Sequence, residues 1–242
     1  RRVLFRSGTA TVTQTLTVSL APAWTPSATL TYQWQSSSDQ VAWSNLSGET
    51  GTSHVLTTSD FQKYLRVVQT GVSTGYVTDT TTSNVLGPVA SAAFVTKPAS
   101  ISGTVAVDNT VSVSMAAWTP SPSFSYEWQI SADSGSTWSP VGTDTSTYSV
   151  VLGDYTKLLR VIVTGTALGY ITDSSTSASV TVAAGALSKV QPTIAGTTTV
   201  GQTLSVTSAP SWTPSASFSY QWQWSANGST GWTNLTGETD TS

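Results

Sequence analysis

Cysteine is absent from the chain, which excludes both a disulfide framework and a thiolate metal site. Charge is scarce as well. Asp, Glu, Lys and Arg make up 9% of the 242 residues, against about 25% in an ordinary soluble domain. With 9 Lys and Arg, 12 Asp and Glu, and a pI near 4.9, the chain lacks the clustered cations that displace counterions from phosphate. Nucleic acid is therefore not an expected partner. Histidine occurs once, at His54, whereas a Ser-His-Asp arrangement or a zinc hydrolase centre needs a well-placed imidazole. No apolar run approaches the roughly 18 residues of a membrane helix, so no membrane segment is expected. The acidic D-x-D-x-D-G loop of calcium sites does not occur either, and no cofactor is expected.

What the chain does have is aromatic residues, 10 Trp and 8 Tyr among them, and they recur. Trp-Thr-Pro begins at Trp24, Trp118 and Trp212, each 94 residues after the last. Tyr-x-Trp-Gln follows at Tyr32–Gln35, Tyr126–Gln129 and Tyr220–Gln223 with the same interval. The next tryptophans, Trp43, Trp138 and Trp232, drift by one residue, which places an insertion between Gln129 and Trp138 and predicts a hairpin loop there. LRVVQTGVSTGYVTD (65–79) returns as LRVIVTGTALGYITD (159–173) and has no counterpart in the third copy. A period near 94 is too long for a solenoid unit and close to the roughly 100 residues of an immunoglobulin-like sandwich.

Alternation supplies the secondary structure. Leu16 and Val18 alternate with Thr and Ser, Tyr32 and Trp34 with Thr31, Gln33 and Gln35, and Leu65 and Val67 with Arg66. Such period-two patterns between Gly, Pro, Ser and Asp punctuation predict strands throughout, and no helical stripe appears. The expected fold is all-β: tandem immunoglobulin-like β-sandwiches over 8–91 and 92–185, with the N-terminal half of a third over 186–242. Residues 1–7, RRVLFRS, read as the translation of a sequencing-library adapter and are set apart from the fold. The connectors 86–98 and 183–192 are short, rich in small residues and end in proline, as linkers between beads of a rod would.

Without a disulfide, the core must be held by the rings. Burying one indole removes about 200 Å² from water, an upper bound near 5 kcal/mol, which matches or exceeds the roughly 2–4 kcal/mol of a disulfide. Tyr32, Trp34, Tyr126, Trp128, Tyr220 and Trp222 are the expected structural core, with the flanking glutamines facing solvent; Trp224 shares the side of Trp222. The Trp24, Trp118 and Trp212 set precedes Thr-Pro and is the candidate for an exposed, sugar-binding platform. His54 aligns with Thr147 or Tyr148 and is expected to be a surface or half-buried strand residue. Asp60 and Asp154 precede a strand and are expected to close a turn. A hairpin about Gly71–Gly75 would place Arg66 opposite Asp79, and Arg160 opposite Asp173, as outer-face ion pairs that fix register. Asn45, Asn227 and Asn234 fit the glycosylation sequon, a match that a Ser/Thr-rich chain produces by chance.

The motifs Tyr220-Gln-Trp-Gln, Trp232-Thr-Asn-Leu-Thr-Gly-Glu-Thr and Lys63-Tyr-Leu-Arg-Val-Val together resemble the tandem bacterial immunoglobulin-like (Big-type) repeats of large surface and secreted proteins, over nearly the whole chain from Gly8. The resemblance implies non-catalytic, extracellular stalk or adhesin-type modules of a longer protein, whose signal and anchor lie outside this stretch. Glycans or other surface proteins are the partners it suggests. A carbohydrate-binding or adhesive module, or a phage virion immunoglobulin-like domain, is the alternative.

Overall fold

The computed structural model describes residues 5–19, 24–207 and 212–241. Residues 1–4 of the expected adapter segment therefore lie outside the described residues. The first copy forms seven strands: β1 (Phe5–Ser7), β2 (Thr15–Ser19), β3 (Thr29–Ser37), β4 (Ser44–Asn45), β5 (Ser53–Val55), β6 (Tyr64–Val72) and β7 (Asp79–Thr82). They sort into two antiparallel sheets in the orders β1-β2-β5 and β4-β3-β6-β7. The second copy repeats this plan with β8 (Ser100–Ser102), β9 (Thr110–Ser114), β10 (Ser123–Ser131), β11 (Ser139–Val141), β12 (Thr147–Ser149), β13 (Leu158–Thr166) and β14 (Asp173–Thr176). Its sheets run β8-β9-β12 and β11-β10-β13-β14, with β15 (Val180–Thr181) also paired to β13. Three strands facing four, with nearly no helix, is the immunoglobulin and fibronectin-III-like sandwich. The chain is all-β and carries it in tandem.

The longest ladders explain where the rings go. β3 pairs with β6 from Thr29↔Val72 to Ser37↔Tyr64, setting Trp34 beside Val67; β10 and β13 set Trp128 beside Val161 in the same way. Both indoles are 0% exposed. In the first sandwich Val12, Leu16, Leu56, Leu65, Val67 and Val89 pack with Trp34, and Tyr32 lies half-buried against them. The second collects Val107, Val111, Val150, Leu159, Val161 and Val163 around Trp128, with Tyr126 at its margin.

The expected cross-strand ion pairs do not form. β7 pairs with β6 so that Asp79 lies opposite Gly71, and β14 places Asp173 opposite Gly165. The connecting loop is longer than a tight turn about Gly71–Gly75, which carries Asp79 well away from Arg66. Each aspartate instead accepts the next amide, from Thr80 and Ser174, at 2.8 Å.

Residues 1–183 make one compact unit and 184–242 another. β1 takes the part that β8 takes in the second copy: Arg6 lies opposite Val18, as Ile101 lies opposite Val113. Adapter-derived or not, Phe5–Ser7 completes a sheet and is not outside the fold. The second unit holds β16 (Ile194–Gly196) paired with β17 (Leu204–Val206), and β18 (Gln223–Trp224) paired with β19 (Thr233–Asn234). Strands equivalent to β12–β14 have no counterpart in its sequence. Tyr220 and Trp222 are only half-buried, and Trp224, expected on the core side, is 54% exposed.

Candidate functional site

The tryptophan of Tyr-x-Trp-Gln has a defined partner in every copy. The Trp34 indole N–H donates to the Gly51 carbonyl at 3.0 Å, Trp128 to Thr145 at 3.0 Å and Trp222 to Asp240 at 2.9 Å. A buried indole needs that partner. Gln33 does not simply face water. Its amide donates to the Leu46 carbonyl at 2.8 Å and reaches Glu49 at 3.4 Å, clamping the Asn45–Glu49 turn. Gln221 does the same with Leu235 and Glu238. The second copy has Glu127 at this position, which cannot donate, and it also lacks the Asn-Leu-x-Gly-Glu-Thr turn; there Asp144 accepts the Tyr126 amide at 2.6 Å. Glutamine and turn therefore occur together or not at all.

On the outer face Arg66 stacks over Trp43, its guanidinium carbon 4.1 Å from the ring centroid, while its Nε donates to Gln35 Oε1 at 2.7 Å. Arg160 repeats both contacts with Trp138, at 3.8 Å, and with Gln129, at 2.8 Å. Arg66 and Arg160 thus serve tryptophan and glutamine rather than Asp79 and Asp173. The inserted residue of the second copy falls in the β10–β11 loop, where Asp133 accepts from the Thr137 side chain and backbone amide and is held down at about 2 by those bonds.

Trp118 is no ligand platform: it is 2% exposed. Phe94, from the connector, lies 5.9 Å from it and stacks on Tyr170 at 5.0 Å. Phe124 meets the Trp118 ring edge-on at 5.4 Å, and the indole N–H donates to the Lys97 carbonyl at 3.2 Å. Trp212 is half-buried, donates to Val190 at 3.2 Å and packs edge-on against Phe218 at 5.5 Å. Trp24 is half-buried too, but its N–H turns to Gln69 Oε1 at 3.1 Å. Its ring lies where Gly71 has no side chain, since a Cβ there would come within 2.5 Å; Gly165 makes the same room for Trp118.

The connector between the first two sandwiches is not a free linker. Val89 and Ala90 exchange backbone hydrogen bonds with Gln62, Lys63, Ala10 and Val12 of the first sandwich. Two residues on, the Ala92 amide donates to Gly169 at 2.9 Å and its carbonyl accepts from Ile171 at 2.8 Å, both in the second sandwich. Val95 pairs with Thr119. Ala92 is part of the first sandwich's core, Tyr170 packs against that core, and Gly169 faces Val12, Thr58 and Phe61. Ala92, 7% exposed, is the small residue that lies between the two sandwiches.

No protein-family model matches the chain, and no curated protein matches it. Among solved structures it is similar to the FN1–FN3 domains of chicken CNTN1, at 11% identity and a TM-score of 0.30, with 98% of this chain and 84% of that one covered.

His54 is buried, contrary to the sequence expectation, because β5 sets it opposite Leu16 on the core side of the sheet. Its Nε2 lies 3.2 Å from Asp60 Oδ2, its Nδ1 lies 2.9 Å from Glu49 Oε2, and its ring packs 5.6 Å from Trp34. The Glu49 approach is a charge contact without hydrogen-bond alignment. Burial opposes charging the imidazole, yet the hydrogen bond to Asp60 and the Glu49 carboxylate outweigh it and raise the value above 6.5. Burial likewise opposes an ionised Asp60, but the bonds from His54 and Thr57 win and lower its value. With an acid on each ring nitrogen, His54 has none left to activate a nucleophile. In the second copy Tyr148 stands in its place and donates to Asp154 at 2.7 Å. Asp60 and Asp154 also close the turn through the Thr57 and Val151 amides. The sequon asparagines hold local structure: Asn45 and Asn234 accept from Gln35 and Gln223 at 2.8 Å, and Asn227 caps its loop.

Sequence reading missed the Glu49–His54–Asp60 cluster, the arginine–tryptophan stacks and the connector clasp. The first had one usable signal, the alignment of His54 with Tyr148 six residues before a shared aspartate.

Proposed function

We propose that these repeats are non-catalytic spacer modules of a large bacterial cell-surface or secreted, adhesin-like protein, acting outside the cell. The observation that carries this reading is the clasped connector. The segment that could have let two sandwiches swing freely is held by backbone hydrogen bonds on both sides, and Phe94 seals the one tryptophan best placed to face a ligand there. A module whose recurrent residues hold its core, its turns and its joint transmits position and has no need of a reactive group. The absence of cysteine is compatible with this because the indoles supply the cohesion of a disulfide.

The test is a tryptophan fluorescence titration of the whole chain against a glycan panel, with NMR mapping of any change. The spacer reading predicts no saturable shift. A saturable blue shift that maps to Trp24 or Trp212 makes the chain a carbohydrate-binding module and overturns it.

A further inference from the structure

The two sandwiches of residues 1–183 carry the same loop between their last long strands, and only one of the two loops is covered. In the second sandwich Gly169 is buried against Val12, Thr58 and Phe61 of the first, and Ala92 bonds to Gly169 and Ile171. In the first sandwich Gly75, Tyr76 and Val77 stand at the matching positions, 94 residues earlier. A Cβ on Gly75 would meet nothing within 4 Å, Tyr76 is 63% exposed and Val77 is 93% exposed. The bare loop nevertheless already has the docked shape. The Tyr76 amide donates to Ser73 at 3.1 Å, as the Tyr170 amide donates to Ala167 at 3.2 Å, and Gly75 and Gly169 share φ values of 82° and 76°. Trp24 also holds the place of Trp118 against its glycine, with Gln69 accepting the N–H that Trp118 gives to the connector.

We infer that Trp24 with the Ser73–Val77 loop is a docking surface for the base of another sandwich of this same repeat, placed ahead of residue 8 in one polypeptide. The inference rests on the spacer reading and names its partner. The chemistry the partner must bring is set by the covered joint. It needs an extended connector whose small residue bonds to the Gly75 carbonyl and the Val77 amide. Two residues on, it needs an aromatic side chain to fill the space between Trp24 and Tyr76, as Phe94 does between Trp118 and Tyr170. It also needs an apolar base like Val12 and Phe61 to cover Gly75. A preformed acceptor and donor mean that docking orders little chain, which favours a joint over a flexible tether.

The experiment replaces residues 1–7 of the full chain with a second copy of residues 8–102, so that a strand equivalent to β8 leads into Gly8. Amide hydrogen exchange is read at residues 73–77. Docking predicts that the Val77 amide slows by at least about tenfold, to the range of Ile171, and that acrylamide quenching of Trp24 falls. Phe94→Ala in the inserted copy reverses both changes. Residues 73–77 exchanging as freely as in the original chain, with the inserted copy folded or not, overturn the inference. That result leaves the spacer reading standing if the glycan panel is negative, whereas glycan binding with a protected loop sinks the spacer reading and keeps the joint.

Discussion

Alanine in place of Trp34 removes a ring that is 0% exposed, sits beside Val67 and satisfies the Gly51 carbonyl. Large-to-small changes at such a site cost about 3–5 kcal/mol, because the transfer free energy of the ring is lost and a cavity remains. A sandwich of this size has a total stability at the lower end of roughly 5–15 kcal/mol, so the first sandwich should come close to unfolding at 25 °C. For a domain of this size each kcal/mol moves the midpoint by about 4–8 °C, which places the expected loss at about 12–40 °C. Trp128→Ala should do the same to the second sandwich. Trp222→Ala, in the same motif but half-buried, should cost about 1–2 kcal/mol, since the transfer term scales with area buried. Thermal and urea unfolding followed residue by residue by NMR assigns each loss to its sandwich. Equal costs at all three positions, or a loss below about 1 kcal/mol at Trp34, would refute the claim that burial of the indole, rather than the motif itself, sets stability.

The charge cluster makes the first sandwich pH-sensitive in a way the second is not. Because His54 is raised above 6.5 and Asp60 lowered below 3.8, the His54 contribution is complete below its ordinary value and disappears as pH rises through the raised one. The Asp60 contribution is complete above its ordinary value and disappears as pH falls through the depressed one. Unfolding midpoints of the first sandwich should therefore peak between about pH 4 and 6.5, and His54→Tyr should remove the alkaline limb; a flat profile contradicts the cluster. Gln33→Glu puts the second copy's acid into the first copy's turn, where it faces the Leu46 and Glu49 carbonyls without a proton to give. A loss of about 1–3 kcal/mol is expected, with faster hydrogen exchange at Leu46 and Glu49. Gly165→Ala places a methyl group 2.7 Å from the Trp118 ring; overpacking of about 1–3 kcal/mol and a red shift in tryptophan emission should follow.

Period and alternation revealed the tandem sandwich fold and the buried Trp34 and Trp128, because side chains that must face a core recur at fixed intervals whatever the loops do. The inserted residue near Asp133 was legible for the converse reason, that hairpin loops absorb length. Register was not legible. A tight turn would pair Arg66 with Asp79, and the loop that displaces Asp79 to Gly71 carries no pattern of its own. His54 escaped because its partners, Glu49 and Asp60, come from a turn and a short 3-10 helix (Thr58–Asp60), where no periodicity links them. The connector has the sequence of a linker because its grip is made by backbone groups. Ala92 shows only smallness in the sequence, which suits a flexible tether and a strand pressed between two sandwiches equally well.

Residual dipolar couplings of the whole chain, measured for amides of residues 8–86 and 99–183, test the joint most directly. If the connector is clasped as described, one alignment tensor fits both sets, and Phe94→Ala splits it. Two independent tensors in the unaltered chain would mean that the sandwiches swing freely, and the account of these repeats as position-holding spacers would fail.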